Sequence, residues 1–221
     1  MRKVLMIMIA VLLVFGMTAC SGGSSDETAE STDNGSETAA ESTAETGDEE
    51  AGQPAGEAEG AQSGSGTLVV YFSATGNTRG VAEKIAAVTG ADIYEIKAAQ
   101  EYTDADLDWN DSDSRTTHEQ NDASFRPEIG SDPVSLEGYT TIYIGYPIWW
   151  GEEPRIMDTF VESYDFDGIT MIPFCTSGGS GIGRSGQNLA DNAGSGNWID
   201  GERLDTGVSE DELRTWIEGL Q

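Results

Sequence analysis

Residues 68–78 read Leu-Val-Val-Tyr-Phe-Ser-Ala-Thr-Gly-Asn-Thr, and they indicate a fold class by themselves. The first five are an unbroken apolar run, which is typical of a strand covered on both faces. Apolar residues then recur at helical spacing from Val81 to Val88, and Gly90 is a typical helix stop. A buried strand that leads directly into a helix predicts an α/β protein with a parallel sheet.

The loop between this strand and this helix, Ser73 to Thr78, is suited to a phosphate group. The first turn of a helix presents unpaired N–H groups and a partial positive charge, and the hydroxyls of Ser73, Thr75 and Thr78 add donors. The loop does not carry the Gly-Lys-Ser/Thr of the Walker motif, which argues against ATP or GTP hydrolysis. A helix cap that holds no ligand is the alternative interpretation of the same residues.

The rest of the sequence alternates in the same way between apolar runs and segments with helical spacing. The runs 142–146 and 169–174 indicate strands, and Pro173 is expected only near a strand end because it cannot donate to the ladder. This alternation predicts right-handed crossovers and functional loops at the carboxyl ends of the strands. The other predicted elements are an edge strand at 93–97, a helix from Pro154 that buries Ile156, Met157, Phe160, Val161 and Tyr164, a weak helix at 185–192, a short strand at 198–204, and a last helix with a Ser209–Glu212 capping box and a buried stripe of Leu213, Trp216, Ile217 and Leu220.

Two later loops have compositions suited to a flat ligand. Residues 147–151 read Pro-Ile-Trp-Trp-Gly, and because neighbouring residues at a strand end face opposite ways, at least one indole is expected outside the core. Residues 175–181 read Cys-Thr-Ser-Gly-Gly-Ser-Gly, whose glycines let backbone groups approach a ligand edge. Ordinary packing under a loop and a flexible surface loop are the respective alternatives.

These three loops, in this order, resemble those of the flavodoxin-like family, in its exported short-chain branch. The resemblance covers most of residues 67–221 and implies a doubly wound, five-stranded parallel sheet of order 2-1-3-4-5. It also implies FMN as the cofactor. The residues that it assigns to FMN are Ser73, Thr75, Gly76, Asn77 and Thr78 around the phosphate, Pro147, Ile148, Trp149, Trp150 and Gly151 along one side of the ring, and Thr176, Ser177, Gly178 and Gly179 along the other.

The resemblance implies an FMN-binding redox protein that transfers electrons to or from a redox partner protein or a quinone-like acceptor. An FMN-dependent NAD(P)H:quinone-type oxidoreductase and a flavin-free module that binds a ligand or protein are the alternatives. The chain carries 40 acidic against 11 basic residues, a formal charge of −29, so nucleic acid is not expected as a partner. Residues 67–221 alone carry 28 acidic and 9 basic residues, a formal charge of −19, and because reduction makes a flavin more negative, this charge is expected to lower its potential.

The N-terminal third has a different composition. Arg2 and Lys3 precede a short apolar run, and the small residues before Cys20 resemble a bacterial lipobox, with Met17 where the motif usually has Leu. Residues 1–20 are therefore interpreted as a lipoprotein signal peptide with Cys20 as the lipidated residue. Residues 21–66, rich in Ser, Gly and Glu, are predicted to form a disordered acidic tether. Together they predict a lipid anchor in the cell membrane and a folded domain, residues 67–221, outside the cytoplasm.

Residues 98–138 carry further motifs, and we interpret this segment as a solvated acidic insert. Asp108, Asn110, Ser112 and Glu119 follow the spacing of a calcium-binding loop, but Asp113 stands where its tight turn needs glycine. The only histidine of the chain is also in this segment, which argues against a Ser-His-Asp hydrolase.

Residues 181–186 formally match the G-x-G-x-x-G motif of dinucleotide-binding turns. The match starts too far from the preceding strand for such a turn.

Overall fold

The computed structural model describes residues 66–220, which form a parallel sheet with helices on both faces. The predicted strands and helices of this part are found, with one additional helix, and the predicted last strand is divided. In chain order the elements are β1 (Thr67–Phe72), α1 (Asn77–Thr89), β2 (Asp92–Ile96), α2 (Arg115–Asn121), β3 (Thr141–Pro147), α3 (Arg155–Glu162), β4 (Thr170–Thr176), α4 (Ser185–Ala193), β5 (Asn197–Trp198), β6 (Glu202–Arg203) and α5 (Glu210–Glu218).

The signal peptide, the lipidation of Cys20 and the tether fall almost wholly on residues 1–65, outside the described part. Within residues 66–220, none of the helices combines the length and the apolar character that crossing a bilayer requires.

The sheet has the order β2-β1-β3-β4-β5, with β6 also paired to β4, and all of these pairings are parallel. This confirms the order 2-1-3-4-5 that the resemblance implied. It also places β2 at an edge, as its mixture of apolar and charged residues predicted. The direction in which strands are added reverses between β1 and β3, and ligands of open α/β sheets bind at such a switch point.

Pro173 lies in the middle of β4, and the expectation that it would be near a strand end is wrong. The carbonyl groups of Met171 and Cys175, two residues to either side, accept bonds from Ile199 and Leu204 on the last-strand side. Pro173 therefore also faces that side, where its missing N–H cannot support pairing. The predicted single strand at 198–204 is accordingly replaced by β5 and β6, which flank the interruption.

Each face of the sheet has its own hydrophobic core. Helices α1 and α5 cover one face, and the α5 capping box is present as predicted. Helices α3 and α4 cover the other face, where four of the five predicted α3 residues are fully buried and Tyr164, beyond the helix end, is partly buried. Of the predicted stripe of the last helix, only Leu213 is fully buried, whereas Trp216, Ile217 and, beyond the end of α5, Leu220 are partly buried against the same core.

The interpretation of residues 98–138 as a solvated insert holds for most of the segment, which is exposed, but not for its helix. The segment contains α2, which buries Thr116, Thr117, Glu119 and Gln120. The Glu119 carboxylate, which the calcium spacing had singled out, accepts hydrogen bonds from Arg115 Nε and from the Tyr102 hydroxyl, each at 2.7 Å. Among the residues that the structure describes, no group of three or more His, Cys, Asp or Glu side chains is arranged to hold a metal ion.

Candidate functional site

The loops that follow β1, β3 and β4 meet at the carboxyl edge of the sheet, and Thr176 joins them. Its hydroxyl lies 2.9 Å from the Thr78 hydroxyl in a buried hydrogen bond. Its carbonyl accepts a bond from the Ile148 N–H, also at 2.9 Å. The three loops predicted to bind a ligand therefore lie along one edge of the sheet.

The loop after β1 leaves the start of α1 open. Gly76 is the N-cap residue with φ 85°, and as a glycine it offers no side chain to cap the helix. The N–H groups of the first helical turn have no partners within the helix, so they remain available to a ligand. Beside them, the Thr75 hydroxyl accepts a bond from the Asn77 amide at 3.2 Å.

Ser73 supplies the most specific indication that this loop holds a ligand. Its hydroxyl is buried and has no hydrogen-bond partner in the structure. A buried polar group without a partner costs about 1–3 kcal/mol, and native proteins satisfy nearly all such groups. An anion seated on the first turn of α1 would bring acceptor oxygens to this loop, so the residues present fit a phosphate group.

The loop after β3 is a tight hairpin. Trp149 and Glu152 exchange two backbone hydrogen bonds of 3.0 Å, with Trp150 and Gly151 forming the turn between them. Both turn residues have positive φ, 50° and 87°, as in a type I′ turn. Among residues 66–220, Trp150 is the only residue other than glycine with a positive φ. We call residues 149–152 the aromatic hairpin.

The aromatic hairpin gives its two indoles different surroundings. Trp149 packs edge-on against Phe72 and Tyr102, with ring centroids 5.6 Å and 5.3 Å away. Trp150 is 47% exposed. The expectation that at least one indole leaves the core is therefore confirmed, and the exposed indole is that of Trp150.

The loop after β4 is shaped by its own serine. The Ser177 hydroxyl accepts bonds from the N–H groups of Gly179 and Ser180, at 3.2 Å and 2.8 Å. A Cβ atom added at Gly178 or Gly179 would meet nothing within 4 Å, so a ligand edge can approach the backbone there. Cys175, just before this loop, is fully buried, and burial raises the pKa of its thiol to about 12.

Sequence reasoning missed a group of buried polar side chains that pack against the aromatic hairpin. Gln120 of α2 donates one amide group to the carbonyls of Trp149 and Glu153, at 2.9 Å and 3.2 Å. Glu153 and Asp158 are both 1% exposed, and Arg155 lies between them, with Nη1 3.8 Å and 3.5 Å from their carboxylates. We call Glu153, Arg155 and Asp158 the buried charge cluster.

The cluster is costly to ionise fully. Burial raises the pKa of Glu153 to about 7, and burial also raises the pKa of Asp158. Three buried polar atoms in this region, Gln120 Oε1, Arg155 Nε and Asp158 Oδ2, have no hydrogen-bond partner. The aromatic hairpin therefore rests on Gln120 and the buried charge cluster, in which some buried polar atoms lack a hydrogen-bond partner.

One sequence signal could have revealed this support. A connection of about forty residues without structure of its own is uncommon in a compact domain, so the length of the 98–138 segment indicated that it packs on something. The charges at 152, 153, 155 and 158 gave no such signal. Charged residues near a helix start are usually solvated, as Glu152 is, and only the packing of α2 and α4 over α3 buries Glu153, Arg155 and Asp158.

A family model described as flavodoxin matches residues 66–220. The chain belongs to the flavodoxin family. This membership agrees with the sheet order and with the position of the three loops at the switch point.

Solved structures resemble this flavodoxin-family chain over its folded part. Crystal structures of proteins described as flavoproteins from Bacteroides eggerthii DSM 20697 and Bacteroides uniformis ATCC 8492 are 46% and 47% identical, each with a TM-score of 0.66. They cover 69% of this chain and 96% and 97% of their own. A flavoprotein from Lactobacillus acidophilus NCFM, crystallised in complex with FMN, is 27% identical with a TM-score of 0.52, over 68% of this chain and 97% of its own. No curated protein matches the chain.

Proposed function

We propose that this flavodoxin-family protein binds FMN at the carboxyl edge of its sheet and uses it for electron transfer. The observation that carries the proposal is the buried, unpartnered Ser73 hydroxyl next to a helix start without a side-chain cap. A phosphate can accept hydrogen bonds from the Ser73 hydroxyl and from the N–H groups of the first turn of α1 at the same time. The similar Lactobacillus protein crystallised with FMN supports this choice of ligand.

Each loop has its own part in holding the cofactor. Ser73, Thr75 and Thr78, with the N–H groups of the first turn of α1, would hold the phosphate. The exposed indole of Trp150 would pack against the ring, and the backbone at Gly178 and Gly179 would approach its other side. When bound, FMN supplies the one- and two-electron redox chemistry.

The charge around the site favours a low-potential electron donor. The three loops, at 73–78, 147–151 and 176–179, contain no charged residue, so no cation in them compensates a more negative ring. The protein as a whole carries a formal charge of −29. Because reduction adds negative charge to a flavin, both features disfavour the reduced state and lower the potential.

We further propose that the protein works outside the cytoplasm, anchored in the cell membrane by a lipid on Cys20. The lipobox-like residues before Cys20 and the acidic composition of residues 21–66 support this proposal. On the same reasoning, its partner is a redox protein or a quinone-like acceptor within reach of the membrane.

The test is the colour of the purified protein. An FMN protein is yellow, or becomes yellow with added FMN, and bleaches with dithionite. A protein that stays colourless and does not retain added FMN would contradict the proposal and favour the flavin-free binding module. NAD(P)H consumption with a quinone acceptor then distinguishes an oxidoreductase from an electron carrier.

A further inference from the structure

Thr78 and Thr176 form a buried pair of hydroxyls between the loop after β1 and the loop after β4. Thr78 is the second residue of α1 and is 1% exposed, and Thr176 is the last residue of β4 and is 3% exposed. Their side-chain oxygens lie 2.9 Å apart. In the part of the chain that the structure describes, neither hydroxyl makes another hydrogen bond.

The number of hydrogens in this pair shows that one of them is unused. A threonine hydroxyl carries one hydrogen and two lone pairs, so a single bond between two hydroxyls uses only one hydrogen of the two. The other has no acceptor among residues 66–220, and buried donors without an acceptor are rare in native proteins. Together with the unpartnered hydroxyl of Ser73, the pair therefore offers a second hydrogen to a ligand.

The position of Thr78 indicates which hydrogen is available. Thr78 lies in the first turn of α1, beside the N–H groups that the glycine cap leaves open. An anion bound there attracts the nearest hydroxyl hydrogen, which is that of Thr78. The Thr78 oxygen then accepts the hydrogen of Thr176, and hydrogen bonds arranged in such a chain strengthen one another.

We propose that Thr176 is a positioning residue for the phosphate of FMN and acts through Thr78. Its hydroxyl donates to the Thr78 oxygen and leaves the Thr78 hydrogen for a phosphate oxygen. Because threonine in a helix divides between two side-chain rotamers, the bond to Thr176 also selects one of them. This inference rests on the proposed function, and it differs from the resemblance, which assigns Thr176 to one side of the ring.

The Thr176 side chain can be tested separately from its backbone. The Thr176 carbonyl accepts the bond from the Ile148 N–H at 2.9 Å, and this bond does not involve the hydroxyl. Thr176→Val replaces the hydroxyl by a methyl group of similar size, and valine is favourable in a strand. Thr176→Ser retains the hydroxyl and is the conservative variant.

The experiment measures the dissociation constants of FMN and riboflavin for the full chain by flavin fluorescence. The proteins are the wild type, Thr176→Val, Thr78→Val, the double variant and Thr176→Ser. Riboflavin lacks the phosphate, so a residue that acts only through the phosphate leaves its affinity unchanged. Thr89→Val is the matched control, because the Thr89 hydroxyl donates to the Ile85 carbonyl at 2.7 Å at the opposite end of the same helix.

Thr176→Val is expected to weaken FMN binding by about threefold to tenfold, as for one neutral hydrogen bond, and to leave riboflavin binding unchanged. In the Thr78→Val background, the same substitution should change the FMN affinity by less than about twofold, because the residue through which Thr176 acts is gone. Thr176→Ser and Thr89→Val should bind FMN within about twofold of the wild type.

Equal losses of FMN and riboflavin affinity in Thr176→Val would show that Thr176 contacts the ring, and would overturn the inference while leaving the proposed function intact. An unchanged FMN affinity in Thr176→Val would also overturn it, as would the same FMN loss with and without the Thr78 hydroxyl. If none of the proteins bound either flavin, the proposed function itself would fail.

Should Thr176→Val fail to fold, nuclear magnetic resonance of the wild-type complex with FMN tests the same hydrogen bonds. The inference predicts a phosphorus–proton coupling across the bond from the Thr78 hydroxyl to the phosphate, and none from the Thr176 hydroxyl. A coupling from Thr176, or none from Thr78, overturns it.

Discussion

The loop at residues 73–78 is built mainly from its own sequence neighbours, whereas the aromatic hairpin is held by side chains from distant parts of the chain. The first depends on a glycine cap and the open start of α1, with one side-chain bond, between Thr78 and Thr176, to another loop. The second rests on Gln120 and on the buried charge cluster. The difference suggests that the phosphate part of the site is locally encoded, while the part beside the ring depends on tertiary packing and on pH.

The largest expected effect comes from removing the cation of the cluster. Arg155→Met removes the guanidinium between Glu153 and Asp158 and leaves Arg126, 3.9 Å from Asp158, as the remaining cation there, so we expect a loss of about 3 kcal/mol in the free energy of unfolding at pH 7. Because burial raises the pKa of Glu153 to about 7, this carboxyl is neutral at pH 5, and the loss should shrink there. Urea denaturation at both pH values measures it. In the control Arg214→Met, whose ion pairs are exposed, the change should stay within about 1 kcal/mol, and an equal loss in both variants would contradict the account.

Ser73→Ala tests the loop at residues 73–78. It should not lower the stability of the ligand-free protein, but it should weaken FMN binding. Removing a buried hydroxyl without a partner should leave the ligand-free protein equally stable or more stable, by up to about 1 kcal/mol. The same change should weaken FMN binding by roughly tenfold to a hundredfold, since a hydrogen bond to a charged phosphate is lost. Chemical unfolding and fluorescence titration measure the two quantities.

Ser185→Ala is the matched control for Ser73→Ala. Like that of Ser73, the hydroxyl of this serine is buried, but it donates to the Ile182 carbonyl at 2.6 Å and bonds to Tyr146 at 3.0 Å. Its loss should destabilise the protein by about 1–3 kcal/mol. If Ser73→Ala were destabilising to the same extent, its hydroxyl would have a partner in the ligand-free protein, and the argument for an anion site would fail.

Gln120→Ala should loosen the hairpin without affecting the start of α1. We expect a loss of about 1–2 kcal/mol in stability, because the buried Glu153 carbonyl and the part-buried Trp149 carbonyl lose their shared donor. Hydrogen exchange of the Trp149 and Glu152 amides should become faster, while exchange within α1 is unchanged. Gln187→Ala serves as the control, since this exposed side chain bonds only to Asp191 within α4. Faster exchange in α1 as well would show that the two regions are not independent.

Trp150→Ala should have the smallest effect on the ligand-free protein. Its indole is 47% exposed, so the free energy of unfolding should change by less than about 0.5 kcal/mol. FMN affinity should nevertheless fall, because the ring loses its aromatic neighbour. Parallel unfolding and binding measurements check both, and a variant with unchanged FMN affinity would remove Trp150 from the site.

The central strands and the composition of the three loops could be predicted because they depend on local patterns, whereas the sheet order was implied by the resemblance to the flavodoxin-like family. Apolar runs marked β1, β3 and β4, and glycines and hydroxyls marked the turn into α1. The division of the last strand into β5 and β6 opposite Pro173 could not be predicted, since it depends on which side of β4 the proline faces. The support under the hairpin could not be predicted either, because Glu119, Gln120 and Glu153 resemble surface residues until α2 and α4 cover them.

The most direct test of the phosphate site compares FMN with riboflavin, which lacks the phosphate, in calorimetric titrations of the same protein. If the amides and hydroxyls of residues 73–78 hold the phosphate, FMN should bind one per chain and riboflavin at least about a hundredfold more weakly, as expected for the loss of several charge-assisted hydrogen bonds. Equal affinities would show that the loop after β1 does not bind the phosphate, and no heat with either compound would remove the flavin assignment and leave only the fold.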